Sequence, residues 1–328
     1  MRGLQRGLFL LAAAALLAAP LGAEAQQAGN VHKVGAIHPC IPPGTTSSYP
    51  VLQQALHDLG YVEGRNLTLD RECFQRAEQA PEIIRQFLEH KVDVIVAWSG
   101  PGATAAKKLT STVPIVFIDP ADPIGIGLVA SLARPGGNAT GISSMASELA
   151  TKRLQLLKEA APRAARVVVL ANPTNQSTPS QLEGVDDAAR ALGVKLRVLK
   201  IRTSAEIDEV FLQVIKERPD AALVLADPMF FTEQDRIVGQ AARARVPTMY
   251  SHTNFAMRGG LLAYAPNLPD MSPIAAGYVD KILKGARPAD LPVQQPTKFD
   301  LVINLKTAKQ LGITVPQTIL LRAERVIE

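Results

Sequence analysis

Cysteines, metal-ligand clusters and aromatic rings are all scarce in this sequence, and each scarcity removes a class of function. Two cysteines in 328 residues, Cys40 and Cys73, cannot supply a tetrahedral thiolate site for zinc. The five histidines, His32, His38, His57, His90 and His252, show no H-E-x-x-H or comparable ligand spacing. Neither a metal nor a cofactor is expected. Aromatic residues make up 5% of the chain, and 35 Lys and Arg are dispersed among 30 Asp and Glu. The basic stripe with interleaved aromatics that nucleic-acid binding requires is therefore missing, and no nucleic-acid partner is expected. Catalytic signatures are missing too: there is no G-x-S-x-G elbow, no G-x-x-x-x-G-K-[ST] phosphate loop and no Ser/His/Asp set suggesting a triad. Gly125-Ile-Gly-Leu-Val-Ala130 fits the loose dinucleotide pattern, but it follows Asp122-Pro123 instead of leaving a strand. No catalytic residues are assigned.

Long apolar runs are absent with one exception, Leu8 to Leu21, preceded by Arg2 and Arg6 and followed by Ala23-Glu-Ala25. That layout predicts a secretory signal peptide over residues 1–25, with the mature chain starting near Gln26. The run is shorter than the ~20 residues that span a bilayer, so the protein is not expected to be membrane-embedded. A lipid anchor needs a cysteine just after the cleavage site, and the first cysteine is Cys40. The expected destination is the periplasm of a Gram-negative cell, unlipidated. Losing Arg2, Arg6 and Glu24 with the leader lowers the net charge from +5 to +4, a mild balance carried on a solvated surface. Export also permits a disulfide. Cys40 and Cys73 lie near the ends of neighbouring strand candidates and are expected to pair.

What the sequence has in quantity is a β/α alternation. Strand candidates are Val31–His38, Asn66–Glu72, Val92–Trp98 and Pro114–Asp119, then Arg166–Ala171, Lys195–Ile201, Ala221–Ala226 and Pro247–Tyr250. Helix candidates between them are Tyr49–Leu59, Pro81–His90, Gly102–Leu109, Gln181–Leu192, Ala205–Lys216 and Glu233–Ala244. Roughly 300 mature residues exceed what a single hydrophobic core usually organises. The two halves also echo each other: Leu59-Gly60 and Val113-Pro114 match Leu192-Gly193 and Val246-Pro247 at one offset, 193 − 60 = 247 − 114 = 133. The expected architecture is α/β, with two similar lobes, each a parallel sheet flanked by helices, joined by a multi-strand hinge. Residues 26–143 plus about 267–297 are expected to form one lobe, and 144–266 plus about 298–328 the other. Ala139–Ser143 and Gly259–Pro266 read as strands crossing between lobes.

In parallel sheets ligands bind beyond the carboxyl ends of the strands. The strand-exit loops nominate His38 and Thr45 after the first strand, Ser99, Gly100, Pro101 and Gly102 after the third, and Asp119 after the fourth. The second half offers Asn172, Asp227, Tyr250, Asn254 and Tyr264. Ser99 reads as a helix cap in a glycine-flanked turn whose amides suit a carboxylate, or as an ordinary Pro-Gly turn. Asp227 reads as the partner of a ligand ammonium, facing the Ser99–Thr104 turn across the cleft; Asp119 and Asp227 alternatively cap their own loops. Phe230, Phe231, Tyr250, Phe255 and Tyr264 are either apolar walls for the ligand body or core.

Several longer segments resemble one family. Leu59-Gly-Tyr-Val-Glu-Gly-Arg-Asn-Leu67, Val92-Asp-Val-Ile-Val96, Gly127 through Gly141, Lys152-Arg-Leu154, Gly260-Leu-Leu262, Pro266-Asn-Leu268 and Lys298-Phe-Asp-Leu-Val-Ile-Asn-Leu305 are similar to ABC transporter substrate-binding proteins of the tryptophan/tyrosine-type uptake systems. The resemblance spans nearly all of the mature chain. It implies a type I periplasmic-binding-protein fold, a small-molecule ligand held between lobes, an ABC permease in the inner membrane as partner, and no catalysis. A small carboxylate with an apolar or aromatic body, an amino acid first, is the expected ligand, and a monomer the expected state. Two other readings share the same clamshell: a periplasmic sensor subunit, and an enzyme using His38 and Asp119 as acid and base. A repressor core is excluded by the leader and by the lack of an N-terminal DNA-binding helix pair.

Overall fold

Strands whose valines and isoleucines run consecutively are built to be buried on both faces. The computed structural model, which describes residues 31–42 and 48–328, puts them in two sheets. The signal-peptide segment and Thr45 lie outside the described residues. The first sheet contains β1 (His32–Pro39), β2 (Leu67–Phe74), β3 (Val94–Trp98), β4 (Ile115–Ile118) and β5 (Ala139–Ile142), all parallel, in the order β2-β1-β3-β4-β5. The second contains β6 (Arg166–Ala171), β7 (Lys195–Lys200), β8 (Ala221–Val224), β9 (Thr248–Tyr250), β10 (Leu262–Pro266), β11 (Phe299–Asn304) and β12 (Arg325–Ile327). Its order is β12-β11-β10-β9-β8-β6-β7, with β11 antiparallel to β10. With β6 to β10 taken as counterparts of β1 to β5, the strand order is the same in both sheets, so the repeat heard in the sequence is a repeat of topology.

The helices are α1 (Tyr49–Asp58), α2 (Ala80–Glu89), α3 (Ser99–Leu109), α4 (Ala146–Ala160), α5 (Thr178–Leu192), α6 (Ile207–Glu217), α7 (Pro228–Thr232), α8 (Gln234–Ala244), α9 (Thr253–Met257), α10 (Leu268–Leu283), α11 (Leu305–Leu311) and α12 (Gln317–Leu320). They cover both faces of each sheet. On β3, Val94, Val96 and Trp98 enter one apolar cluster with Leu52 and Leu56 of α1, while Ile95 and Ala97 enter another with Ile84 and Phe87 of α2. The second sheet divides the same way, Val167 and Val169 to one side and Val168 and Leu170 to the other. From His32 onward the chain is one compact unit. Among the described residues no helix is long and apolar enough to cross a membrane.

The chain passes three times between the sheets, and here the sequence reading needs correction. Ala139–Ile142 is not itself a crossing but β5, paired along its length with β4; the chain leaves the sheet over the next three residues, with Met145 at φ 55°. Gly141 is required there because a Cβ would lie 2.0 Å from the Phe117 carbonyl oxygen. Gly259–Pro266 likewise supplies β10 of the second sheet, and the return crossing is at Asn267, after which α10 packs on α1 and on β3 to β5. A short apolar strand reads the same whether it ends a sheet or bridges two; only its pairing tells. The crossings are tied together: Ser143 N donates to Gln294 O at 3.0 Å, and Asn267 donates to Lys298 O at 3.2 Å through its backbone and to Asp300 at 3.0 Å through its side chain. Helix α4 was not anticipated, because an arginine, Arg153, interrupts its buried stripe of Leu149, Ala150, Leu154 and Leu157.

Candidate ligand-binding site

The strand exits of the first lobe begin with the disulfide Cys40–Cys73, whose Cα atoms are 4.9 Å apart. It ties the end of β1 to the end of β2, beside the pair His38 and Cys73. His38 is buried and its ring lies edge-on to Trp98, centroids 6.2 Å apart. Arg71 Nε is 3.3 Å from His38 Nε2. Since arginine can only donate, Nε2 accepts, and Nδ1–H donates to Pro39 O at 2.8 Å. Burial holds this imidazole below its ordinary pKa, with Arg71 adding to the effect. Both nitrogens of the neutral ring are thus committed, which leaves His38 without a free nitrogen for acid or base work. Arg71 also lies over the Tyr49 ring, 4.1 Å from its centroid.

Helix α3 starts in an unusual way. Its N-cap is Trp98; Ser99 is the first helical residue, sits at φ 68° and does not cap. A non-glycine residue in that left-handed region costs roughly 1–2 kcal/mol. Ser99 Oγ and Trp98 Nε1 are both buried without a hydrogen-bond partner among the described residues. Gly100 has room around it, Pro101 is half-buried, and Gly102 owes its place to packing, since a Cβ there would be 3.3 Å from Ile37 Cγ2. Asp119, at the end of β4, is the second strained exit, with φ 66°. Asp119 is half-buried, and the desolvation of its carboxyl raises its pKa to about 7, against the opposing effects of a Ser144 hydrogen bond and the Arg153 guanidinium.

The second lobe is arranged oppositely. Asp227 is 6% exposed and caps α7: Oδ1 accepts from Met229 N at 2.9 Å and Phe230 N at 3.3 Å. Oδ2 accepts from Asn172 Nδ2 at 3.1 Å and Asn175 Nδ2 at 2.8 Å. Asn172 Oδ1 in turn accepts from Thr174, and Gln181 exchanges two hydrogen bonds with the Ala226 backbone. Burial raises the Asp227 pKa. Of the two roles the sequence left open for this residue, it fills the capping one, and no carboxylate oxygen is left over for an ammonium. Tyr250, Phe230 and Phe255 are core residues, Tyr250 stacked on Phe255 with centroids 4.8 Å apart. The ring of Tyr250 also lines a cavity of about 160 Å³ with Ala241, Arg245, Thr248, Gly260 and Thr307, inside the second lobe. Tyr264 is half-buried and stacks on Phe299, Phe231 packs on His252, and Asn254 is half-buried in the first turn of α9.

The residue sequence reasoning missed is Arg153. It is 2% exposed; Nε donates to Tyr264 O at 2.7 Å and Nη2 to Ser251 O at 3.3 Å, so the guanidinium holds the ends of β10 and β9 together. Nη1 is buried with no partner among the described residues. Burial lowers its pKa to about 10, with Asp119 and Tyr264 working against that shift. His252, beside it, is depressed to about 4 by burial and by this same cation. A buried arginine with a nitrogen unpaired among the described residues is an exception to the usual satisfaction of buried polar groups. The signal was present in the sequence: a charge at the centre of an apolar helical stripe.

Comparison with known proteins agrees with this layout. The family model for the ABC transporter substrate-binding protein matches residues 33–327. A tyrosine-binding protein of Clostridioides difficile (strain R20291) is 28% identical over 264 residues, 79% of this chain and 75% of that protein. A Streptococcus pneumonia ABC domain in complex with L-Trp is 25% identical, with 91% of this chain and 100% of that chain covered and a TM-score of 0.84. A ligand-free, open substrate-binding protein with adhesive properties from Clostridium difficile is 26% identical over 90% of this chain and 99% of that chain, but its TM-score is 0.67. At nearly equal identity, the arrangement described here is nearer the ligand-bound structure. More distant solved structures, at 14% identity, share the fold, that of type I periplasmic binding proteins.

Proposed function

The chain belongs to the ABC transporter substrate-binding protein family, whose members are binding proteins, and from that premise we propose that it is the extracytoplasmic solute-binding component of an importer. Its ligand in this reading is a small carboxylate with an apolar or aromatic body, captured between the lobes and handed to an inner-membrane permease. The observation that carries the reading is the set of buried donors without a partner among the described residues, Trp98 Nε1, Ser99 Oγ and Arg153 Nη1, the first two at the β3 exit of one lobe and the third on α4 of the other. Leaving such groups unmatched costs roughly 1–3 kcal/mol each, a cost a ligand bearing acceptors removes. The half-buried Tyr264 and Phe231 supply apolar surface, and relatives that bind tyrosine and tryptophan favour a planar body.

Mass spectrometry of ligand released from denatured protein, purified from a periplasmic extract, tests this. Thermal shifts of the stripped protein then rank aromatic amino acids, branched amino acids, aromatic acids and sugars. A ligand that binds only the folded state adds about 2.7 kcal/mol of stability at a hundredfold excess over Kd. A shift with neutral sugars and none with carboxylates overturns the reading. Recovery of the ligand chemically unchanged after long incubation separates binding from an enzyme working in the same cleft.

A further inference from the structure

Arg153 and Asp119 belong to different lobes. Arg153 rides on α4 and braces β9 and β10 of the second sheet, whereas Asp119 ends β4 of the first and reaches Ser144 in the first crossing. Each charge biases the other, yet no ion pair joins them among those of the described residues. Each is poorly served as it stands. Among the described residues Arg153 keeps one nitrogen without an acceptor, and Asp119 is half-buried on a strained backbone beside a Ser144 hydroxyl that also donates to Pro120 O.

We infer that Arg153 and Asp119 are the two poles of an α-amino-acid subsite, Nη1 of Arg153 donating to the ligand carboxylate and Asp119 accepting from the ligand ammonium. This rests on the binding-protein reading above and narrows its ligand to a zwitterion. Opposite charges on one carbon match an opposite-charge pair held apart, and each ligand charge replaces the water the protein group has lost. Arg153 is shut off in the arrangement described here, so the ligand enters with the lobes parted and is enclosed as they meet. One pole on each lobe makes the bound amino acid a tie between them, which is what couples capture to closure. Asp227, with four donors already on its carboxylate, leaves Asp119 as the carboxylate for this role.

The test is a cycle between protein and ligand charges. Isothermal titration of the ligand-stripped full-length mature protein against the twenty amino acids identifies the tightest binder; L-tryptophan and L-tyrosine are the first probes. Its deaminated acid, its decarboxylated amine and its carboxamide are then titrated against the wild type and Asp119→Asn. In the wild type, removing either ligand charge is expected to weaken binding at least tenfold. In Asp119→Asn, the amino acid and its deaminated acid are expected to bind within about threefold of each other, while the preference for carboxylate over carboxamide persists. Arg153→Lys is expected to narrow that carboxylate preference and to leave the amine preference in place. Because changes at Arg153 disturb β9 and β10, the wild-type and Asp119→Asn data suffice if it fails to fold. If the deaminated acid equals the amino acid on wild-type protein, or if Asp119→Asn keeps the full amine preference, the subsite is overturned and the importer reading stands. If no free amino acid or organic acid binds, both fall.

Discussion

The two lobes carry the same strand order and opposite polar economies at one pair of equivalent strand exits, those after β8 and β3. At the β8 exit of the second lobe Asp227, Asn172, Asn175, Thr174 and Gln181 satisfy one another, so the Asp227 carboxylate has no oxygen left over; the unpaired donor of that lobe, Arg153 Nη1, lies at the ends of β9 and β10 instead. At the equivalent exit of the first lobe, after β3, Trp98 Nε1 and Ser99 Oγ have no partner among the described residues, Ser99 sits on a left-handed backbone, and the next exit carries the strained Asp119. The lesson is that topological repetition copies the platform and not the chemistry. A saturated network fixes a lobe as a rigid jaw; unsaturated groups store the cost that a ligand relieves.

The contrast can be broken most severely at Asp227. Asp227→Ala deprives four donors, buried or half-buried, of their acceptor and is expected to cost about 4 kcal/mol in urea unfolding, while the surviving folded protein keeps its ligand affinity. Lost affinity with unchanged stability would mean that the second lobe's exit is not the saturated jaw described. Next comes the Cys40–Cys73 bridge, which closes a separation of 33 residues beside His38. Replacing both cysteines by serine is expected to cost roughly 3–4 kcal/mol in the chain-entropy model, read from the shift in denaturation midpoint at unchanged slope.

Asp119 sharpens the comparison through pH. The folded protein holds this proton to about pH 7, whereas an unfolded aspartate releases it near 3.8, so stability contributed by the neutral form is lost as pH rises through that window. A single proton limits the slope to about 1.4 kcal/mol per pH unit. Asp227 and Asp300, also raised, act in the same direction, so Asp119→Asn is expected to flatten part of the decline in a pH series of urea midpoints, not all of it. An unaltered decline would place the Asp119 proton elsewhere. The smallest effect is expected at Ser99. Ser99→Gly removes both the unpaired hydroxyl and the left-handed side chain, and is expected to stabilise the free protein by about 1 kcal/mol while weakening the ligand. Stabilisation with no loss of affinity would take Ser99 out of the site.

The eight strands read from apolar runs in the two halves differ from the observed ones by no more than two residues at either end. They were legible because a strand buried on both faces must be apolar at every position. The helix Ala146–Ala160 was not legible, because Ala, Thr, Lys and Arg fill much of it and its inward stripe carries Arg153. Ser99 and Asp119 were visible as exit residues, since exits follow strand ends. Their strain and missing partners were not, because backbone φ and hydrogen-bond satisfaction depend on what packs alongside.

By itself, the order of apolar runs, turns and glycines determined that this chain makes two parallel-sheet lobes, since local periodicity dictates which faces must be buried. Positions such as Gly141 were present as residues but acquired their reason only where Phe117 O comes within 2.0 Å of the missing Cβ. Which carboxylate is spent and which is free was decided by tertiary structure. Asp119 and Asp227 are both aspartates followed by proline at the end of a buried strand, identical to any local rule. One is surrounded by four donors of its own lobe, and the other is opposed across the hinge by an arginine 34 residues away in sequence. A carboxylate's role is set by the field and the donors around it, and both come from segments the local sequence does not contain.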